Sequence, residues 1–290
     1  MTQAWLKFYE ILTYFPQLVE HQSQHQSFTS LHLCEAPGAF ISALMQFCDG
    51  MELPLPNWMA ATMNPWHEEA AAGEVINIDS LILAFPDKWI FGADNTGNIF
   101  SGDALSSLHG VKFSFITSDG GIDCSADPEF QEQNSSTLKQ AEFLTICDKV
   151  AVGGHAVLKL FSCCHSSTLM ILESAANSFE SAFLTKPASS KAGNSELYLV
   201  MLNYSGSIAP LENTSYFLQQ TLPIVTFFTN RQRDAIQNNL KFKYILTADT
   251  LKQVEVESEI EISTQNMMNQ FQNITLGKEF VHFRHVALTV

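Results

Sequence analysis

The sequence predicts an α/β protein built around a largely parallel sheet, and three observations carry that reading. From Met1 to about Ser205, short β-rich apolar runs alternate with stretches of helical apolar spacing. Turn residues stand at the ends of the runs, notably Pro37-Gly38 and Gly120-Gly121. Hydrophobic residues make up 46% and charged residues 16%, so a sizeable core can be buried.

Taken in order, the first element is the helical run Trp5–Leu12, which carries Lys7 among apolar neighbours. Candidate strands follow at Leu31–Cys34, Trp58–Thr62, Phe113–Thr117, Ala156–Leu160, Ser181–Lys186 and Leu197–Asn203. Between them, Ala39–Cys48, Leu138–Val150 and Ser167–Phe179 have helical spacing. Gly153-Gly154 reads as the C-cap of the second of these helices, and Pro187 closes the fifth strand. Beyond Gly206 the pattern weakens. Ile224–Phe228 and Phe242–Leu246 look strand-like, while Asn230–Asn239 and Asp249–Val254 look helical. Val254–Glu261 alternates with period two, as an exposed edge strand does. The chain therefore divides into a domain over residues 1–205 and a short C-terminal α/β extension over 206–290.

Fifteen basic residues face thirty acidic ones, a net charge of −15, and all three arginines (Arg231, Arg233, Arg284) lie late in the chain. A nucleic-acid partner would need a local basic patch. The six cysteines form no CxxC pair, which fits free thiols in a reducing compartment. No apolar run reaches the roughly 18 residues of a membrane span. The start lacks the basic and apolar regions of a signal peptide. A nuclear or cytoplasmic, non-secreted protein without a membrane partner is expected.

Four features carry chemistry. In Cys34-Glu35-Ala36-Pro37-Gly38-Ala39-Phe40 a β-run ends, a Pro-Gly turn follows and a helix begins. Cofactors bind beyond strand carboxyl ends in open α/β sheets. Gly38 would let the backbone approach a ligand, and the helix start would offer free N–H groups. The same residues also fit an ordinary βα turn, and they match neither the GxGxxG nor the GxxxxGK[ST] pattern. Asp119 stands just past an apolar strand, Lys159 lies inside one, and Glu196 opens another. A lysine inside a strand is costly unless paired, or else it snorkels to the surface. If these strands share one sheet, Asp119, Lys159 and Glu196 meet at one rim near Pro37-Gly38, with Lys7 as a second cation. Two ammoniums and two carboxylates beside a cofactor turn make a proton-handling arrangement. Burial and Lys7 would depress the pKa of Lys159, while Asp119 and Glu196 would raise it, and the sequence leaves the sign open. No His/Cys cluster has metal-ligand spacing, so no metal is expected, and His155 and His165 read as structural.

Cys34–Phe40 resembles motif I of the FtsJ-type RNA 2′-O-methyltransferases. His32–Ile41 (HLCEAPGAFI), Asn64–Glu68 (NPWHE), Phe91–Ile99 (FGADNTGNI) and Lys186–Tyr198 (KPASSKAGNSELY) resemble the adrift-type, cap-specific branch of that family. The likeness is colinear from about Thr2 to Tyr204. It implies a Rossmann-like, mostly parallel seven-stranded sheet whose last strand is antiparallel. It also implies S-adenosylmethionine bound by Cys34, Glu35, Ala36, Pro37, Gly38, Ala39 and Phe40, with Asp94, Asn98 and Asp119 completing the pocket. The family's Lys-Asp-Lys-Glu tetrad falls on Lys7, Asp119, Lys159 and Glu196, with Lys159 as the expected general base. The implied substrate is capped mRNA, methylated on the ribose of the second transcribed nucleotide. Lys186 and Lys191, flanking the Ser189-Ser190 turn, are the local RNA-binding candidates.

Three departures from the family follow. Gly97-Asn98-Ile99 stands where relatives carry Gly-Asp-Ile, so size is kept and charge is lost. Only six residues precede Lys7, so the N-terminal segments that help bind RNA in the family are expected to be absent. Residues 206–290 stand where the family enzyme continues into a second, catalytically degenerate Rossmann-like domain, so that domain is expected here as a partial copy, rebuilt, or very divergent. The acidic balance leads to the expectation that a protein partner, or a missing segment, supplies basic RNA-binding surface. Two other readings stay open: a catalytically silent methyltransferase-fold module that binds RNA or cofactor, and a 2′-O-methyltransferase of another RNA.

Overall fold

The computed structural model describes residues 2–20, 28–68, 79–124, 127–211, 215–247 and 285–288. Helix α1 (Gln3–Tyr14) begins where the Thr2 hydroxyl accepts the Trp5 N–H at 3.2 Å, a side-chain N-cap. The short α2 (Gln17–Glu20) leads to β1 (Thr29–Leu33), α3 (Ala39–Gly50), β2 (Asn57–Ala61), α4 (Ser80–Ala84) and β3 (Trp89–Ile90). Then come β4 (Phe113–Ser118), α5 (Gln131–Lys149), β5 (Val150–Phe161), α6 (Ser166–Ser178), β6 (Phe179–Thr185) and β7 (Glu196–Tyr204). The long α7 (Ser215–Thr247) and β8 (His285–Leu288) complete the described elements.

The strands form one sheet in the order β3-β2-β1-β4-β5-β7-β6-β8. β1 to β5 pair in parallel where they are neighbours, and β7 is antiparallel to both β5 and β6. This is the mostly parallel, seven-stranded arrangement expected for residues up to 204. The extension adds an eighth strand, because β8 pairs antiparallel with β6 at the sheet edge.

Alternation along the strands sorts side chains to two faces. Leu31, Leu33, Ile116, Leu158 and Leu160 point into a core shared with α5, α6 and α7. Phe115, Val157, Tyr198 and Val200 point into the core under α1 and α3, where Phe8 stacks on Phe40 at 4.2 Å between ring centres. Among the described residues no helix is long and apolar enough to cross a membrane.

The structure corrects three readings. Gly153-Gly154 does not cap α5. The helix runs straight into β5, its last N–H reaching Ile146 O, and the glycines lie inside that strand, where its register with β4 shifts. Ile224–Phe228 and Phe242–Leu246 belong to α7 rather than to strands. Among its described side chains Phe217, Thr221, Val225 and Phe228 are the buried ones, three or four residues apart. That helical period overrides the strand preference of short β-branched and aromatic runs. The two-residue β3 was not foreseen, being too short to show a period. The expectations for 249–254 and 254–261 lie outside the described residues.

Candidate active site

After β1 the chain steps outward to β2 and β3, then returns to β4 on the other side of β1. This is the switch point at which open α/β sheets hold ligands. The turn after β1 and the loop after β4 meet there, with the Asp119 N–H bonded to Leu33 O at 3.3 Å. The turn contains Cys34 at φ +53°, a cis Ala36–Pro37 bond and Gly38 at φ +103°. A Cβ on Gly38 would collide with the end of the Leu81 side chain, and its φ of +103° is a conformation that favours glycine.

Nor are the first amides of α3 all free. Glu35 Oε1 accepts the N–H groups of Phe40 (2.8 Å) and Ile41 (3.2 Å), so the motif caps its own helix. Burial pushes the Glu35 carboxyl well above its ordinary value, despite those two bonds. Its other oxygen, Oε2, is buried without a partner, as is Ser118 Oγ at the end of β4. Burial also pushes the Cys34 thiol well above its ordinary value, which favours the protonated form.

The tetrad assembles from register. Ser118, the last residue of β4, pairs with Leu158 of β5, which sets Asp119 beside Lys159. Lys159 in turn pairs with Tyr198 of β7, and Glu196 lies two residues before it on the same face. Lys159 Nζ donates to Asp119 O at 2.6 Å and stands 3.1 Å from Asp119 Oδ1. From α1, Lys7 Nζ reaches Glu196 Oε1 at 2.7 Å, and the Tyr198 hydroxyl donates to the same oxygen at 3.1 Å. The four side chains are 9 to 19% exposed, so these pairs are partly shielded from water.

For Lys159 the surroundings pull in opposite directions. Burial lowers its pKa, but Asp119 and Glu196 outweigh burial, and it stands above the ordinary 10.5. In the resting site it is an ammonium. Burial raises the Asp119 carboxyl, opposed chiefly by Lys159. Glu196 is also pushed up by burial, yet Lys7 holds it below its usual value.

Several contributors escaped the sequence reading. Lys139 and Glu142 of α5 form a buried ion pair at 2.7 Å, 3% and 0% exposed. Together they clamp one residue of the loop after β4. Glu142 Oε1 accepts the Gly120 N–H at 3.0 Å, and Lys139 Nζ donates to Gly120 O at 2.7 Å. No side chain fits at position 120, because a Cβ would collide with the Glu142 carboxyl. Lys139 and Lys159 both stand over the Phe161 ring, at 5.6 and 5.8 Å. The i,i+3 spacing of Lys139 and Glu142 was readable, but nothing marked that helix face as buried. Glu10, one turn after Lys7, accepts N–H bonds from Ala188 and Ser189 and so ties α1 to the 187–195 loop.

The remaining predicted residues lie on the same rim. Asp94 accepts the Thr96 N–H and hydroxyl, which hold its carboxyl below the usual value; Asn98 Oδ1 accepts the Phe100 N–H at 3.0 Å. Asn64 N–H bonds Thr96 O at 2.8 Å, joining this loop to the one after β2. Lys186 is largely spent on its own loop: Nζ donates to Asn194 Oδ1 (2.6 Å), Glu196 O (2.8 Å) and Asn194 O (3.0 Å). Burial, helped by Lys7, lowers it to about 8 against the pull of Glu196. Lys191 is exposed. His155 accepts the Asn203 N–H, and His165 bonds Ser167 at the start of α6. Among the described residues no His, Cys, Asp and Glu group is placed to hold a metal ion.

The profile of the FtsJ-like methyltransferases matches residues 1–204. Several curated proteins are similar to this chain. The cap-specific mRNA (nucleoside-2′-O-)-methyltransferase 2 of Danio rerio is 36% identical over 286 residues, which cover 88% of this chain and 38% of that protein. The protein of the same name from Pongo abelii is 38% identical over 218 residues, 72% of this chain and 28% of the relative. That from Drosophila melanogaster is 34% identical over 216 residues, 71% and 30% respectively. The chain thus spans well under half the length of these relatives.

Proposed function

The chain belongs to the FtsJ-like methyltransferase family, and from that premise we propose that it transfers a methyl group from S-adenosylmethionine to a ribose 2′-hydroxyl of capped mRNA. The methylated ribose is that of the second transcribed nucleotide. Residues 1–205 form the methyltransferase domain, residues 206–290 extend it, and the protein works in the nucleus or cytoplasm. The observation that carries the reading is the convergence of Lys7–Glu196 and Lys159–Asp119 at the rim that holds the turn after β1.

The residues present fit the cofactor. Glu35 Oε2 and Ser118 Oγ are buried polar atoms without partners beside that turn, and a polar ligand there would complete them. When bound, S-adenosylmethionine supplies an electrophilic methyl group. The residues Cys34 to Phe40, with Asp94, Asn98 and Asp119, would hold it.

Lys159 is the residue proposed to take the proton of the 2′-hydroxyl. The carboxylates that raise its pKa make the free amine a stronger acceptor and a scarcer one. Because the pKa is raised, the free amine is a minor form at neutral pH and grows as pH rises. Methyl transfer should therefore accelerate about tenfold per pH unit from 7 to 9. The raised pKa also favours a second reading, in which the ammonium persists and orients the hydroxyl, and then the rate is flat over that range. Transfer of labelled methyl to capped and uncapped transcripts, with the modified nucleotide mapped, tests the function itself. Label at the second nucleotide of capped RNA alone supports the proposal. Label on uncapped RNA, or none, refutes it.

A further inference from the structure

We infer that the outer half of α7 is the track along which the backbone of single-stranded RNA approaches the rim. The inference rests on the RNA-directed function proposed above and adds the surface that receives the substrate. Four of the chain's fifteen basic residues (Arg231, Arg233, Lys241, Lys243) fall in this one helix, with one of its thirty acidic residues, Asp234. A segment of net positive charge in a chain of −15 is where phosphate charge is attracted.

Its position gives that charge a destination. The inner half of α7 is anchored in the core by Phe217, Val225 and Phe228. Farther along, Thr229 touches Cys164 just after β5, and Gln232 Nε2 bonds Gly193 O at 3.4 Å. The side chains of Ile236 and Asn239 flank Gly193 as well. The helix thus passes the end of β5 and lies against the 187–195 loop, which carries Lys191 and leads straight into Glu196. Arg231 is held over the Phe227 ring at 5.5 Å, with both it and Arg233 exposed.

The other described cations are committed elsewhere. Lys7, Lys139, Lys159 and Lys186 spend their ammoniums inside the site. Lys88 bonds Asn57 at the start of β2, Lys112 bonds Asp148 O, and Lys149 bonds Leu108 O, all at the amino ends of the parallel strands, the rim opposite the site. On this side of the molecule Lys191, Arg231, Arg233 and Lys241 are exposed, Arg233 beside Asp234 at 3.1 Å. Such a surface would supply the local basic patch that an RNA partner needs.

The test is the triple variant Arg231→Gln, Arg233→Gln, Lys241→Gln in the full chain, titrated with a short capped transcript between 50 and 300 mM salt. Each lost phosphate contact lowers the salt slope by about 0.7 on a single strand, so the slope should fall by about 2 and affinity by about tenfold or more. S-adenosylmethionine affinity and thermal midpoint should stay as in the parent. Loss of RNA affinity by the variant supports the track even if the parent transfers no methyl group, an outcome that would sink the functional reading alone. Parental RNA affinity in the variant overturns the track and leaves methyl transfer to be judged separately, the basic face then serving an acidic protein. A parent that binds no RNA also overturns it.

Discussion

The rim of the sheet and the outer half of α7 both concentrate charge, yet they hold it in opposite ways. At the rim, ammoniums and carboxylates are paired at 2.7 and 3.1 Å with little exposure. Along α7, Arg233 and Asp234 pair at 3.1 Å while 59 and 61% exposed. Burial decides what a charge does. A shielded pair fixes geometry and shifts pKa values, and losing one partner strands the other. A solvated charge contributes little to stability and acts at a distance, through attraction that salt weakens.

That contrast breaks most visibly at Lys139–Glu142. Lys139→Met alone leaves a buried carboxylate unpaired, and about 3–5 kcal/mol of unfolding free energy should be lost in urea titration. The double change Lys139→Met, Glu142→Leu should recover most of that stability, because an apolar pair of similar size replaces the ions. It should still lose methyl transfer, since the Gly120 peptide is no longer clamped beside Asp119. Full activity in the double variant would reduce the ion pair to packing.

Gly38→Val comes next. A β-branched residue at φ +103° carries about 1–3 kcal/mol of strain and must displace Leu81. Lower stability and weaker S-adenosylmethionine binding are both expected, the latter read by calorimetry. Unchanged cofactor affinity would remove this turn from the cofactor site.

Smaller is the pH effect at Glu196. Its folded pKa lies below its unfolded value of 4.5, so its stabilising contribution is present above pH 4.5 and is lost as pH falls through the folded pKa. Glu196→Gln should make urea midpoints fall less steeply between pH 5 and 3. Smallest is Arg233→Ser on α7, expected within about 0.5 kcal/mol of the parent. A larger loss there would erase the distinction between the two regions.

The rim was legible in the sequence because its chemistry sits on regular strands. Once strands ending near Cys34, Thr117 and Leu160 are placed in one parallel sheet, register alone sets Asp119 beside Lys159. Lys7 was harder, since an apolar helix does not say which sheet face it covers. The Lys139–Glu142 clamp was illegible because α5 has a weak apolar stripe and its buried face is partly polar. At Gly38 the contact with Leu81 was invisible to local pattern, since that residue lies forty-three positions away in the chain. On α7 the misreading came from short windows, which see β-formers such as Ile224-Val225 and miss the three-to-four-residue spacing of Phe217, Thr221, Val225 and Phe228.

The central claim is that Lys159 accepts the proton of the ribose hydroxyl, and single-turnover methyl transfer by Lys159→Ala and Lys159→Arg at pH 7 and 9 tests it most directly. A guanidinium keeps the charge and much of the reach, but it cannot release its proton in this range. The account predicts that both variants lose transfer at both pH values while still binding cofactor and RNA, and that the parent speeds up as pH rises. Transfer by Lys159→Arg near the parental rate, with a parental rate flat in pH, would contradict it and leave Lys159 as an orienting cation.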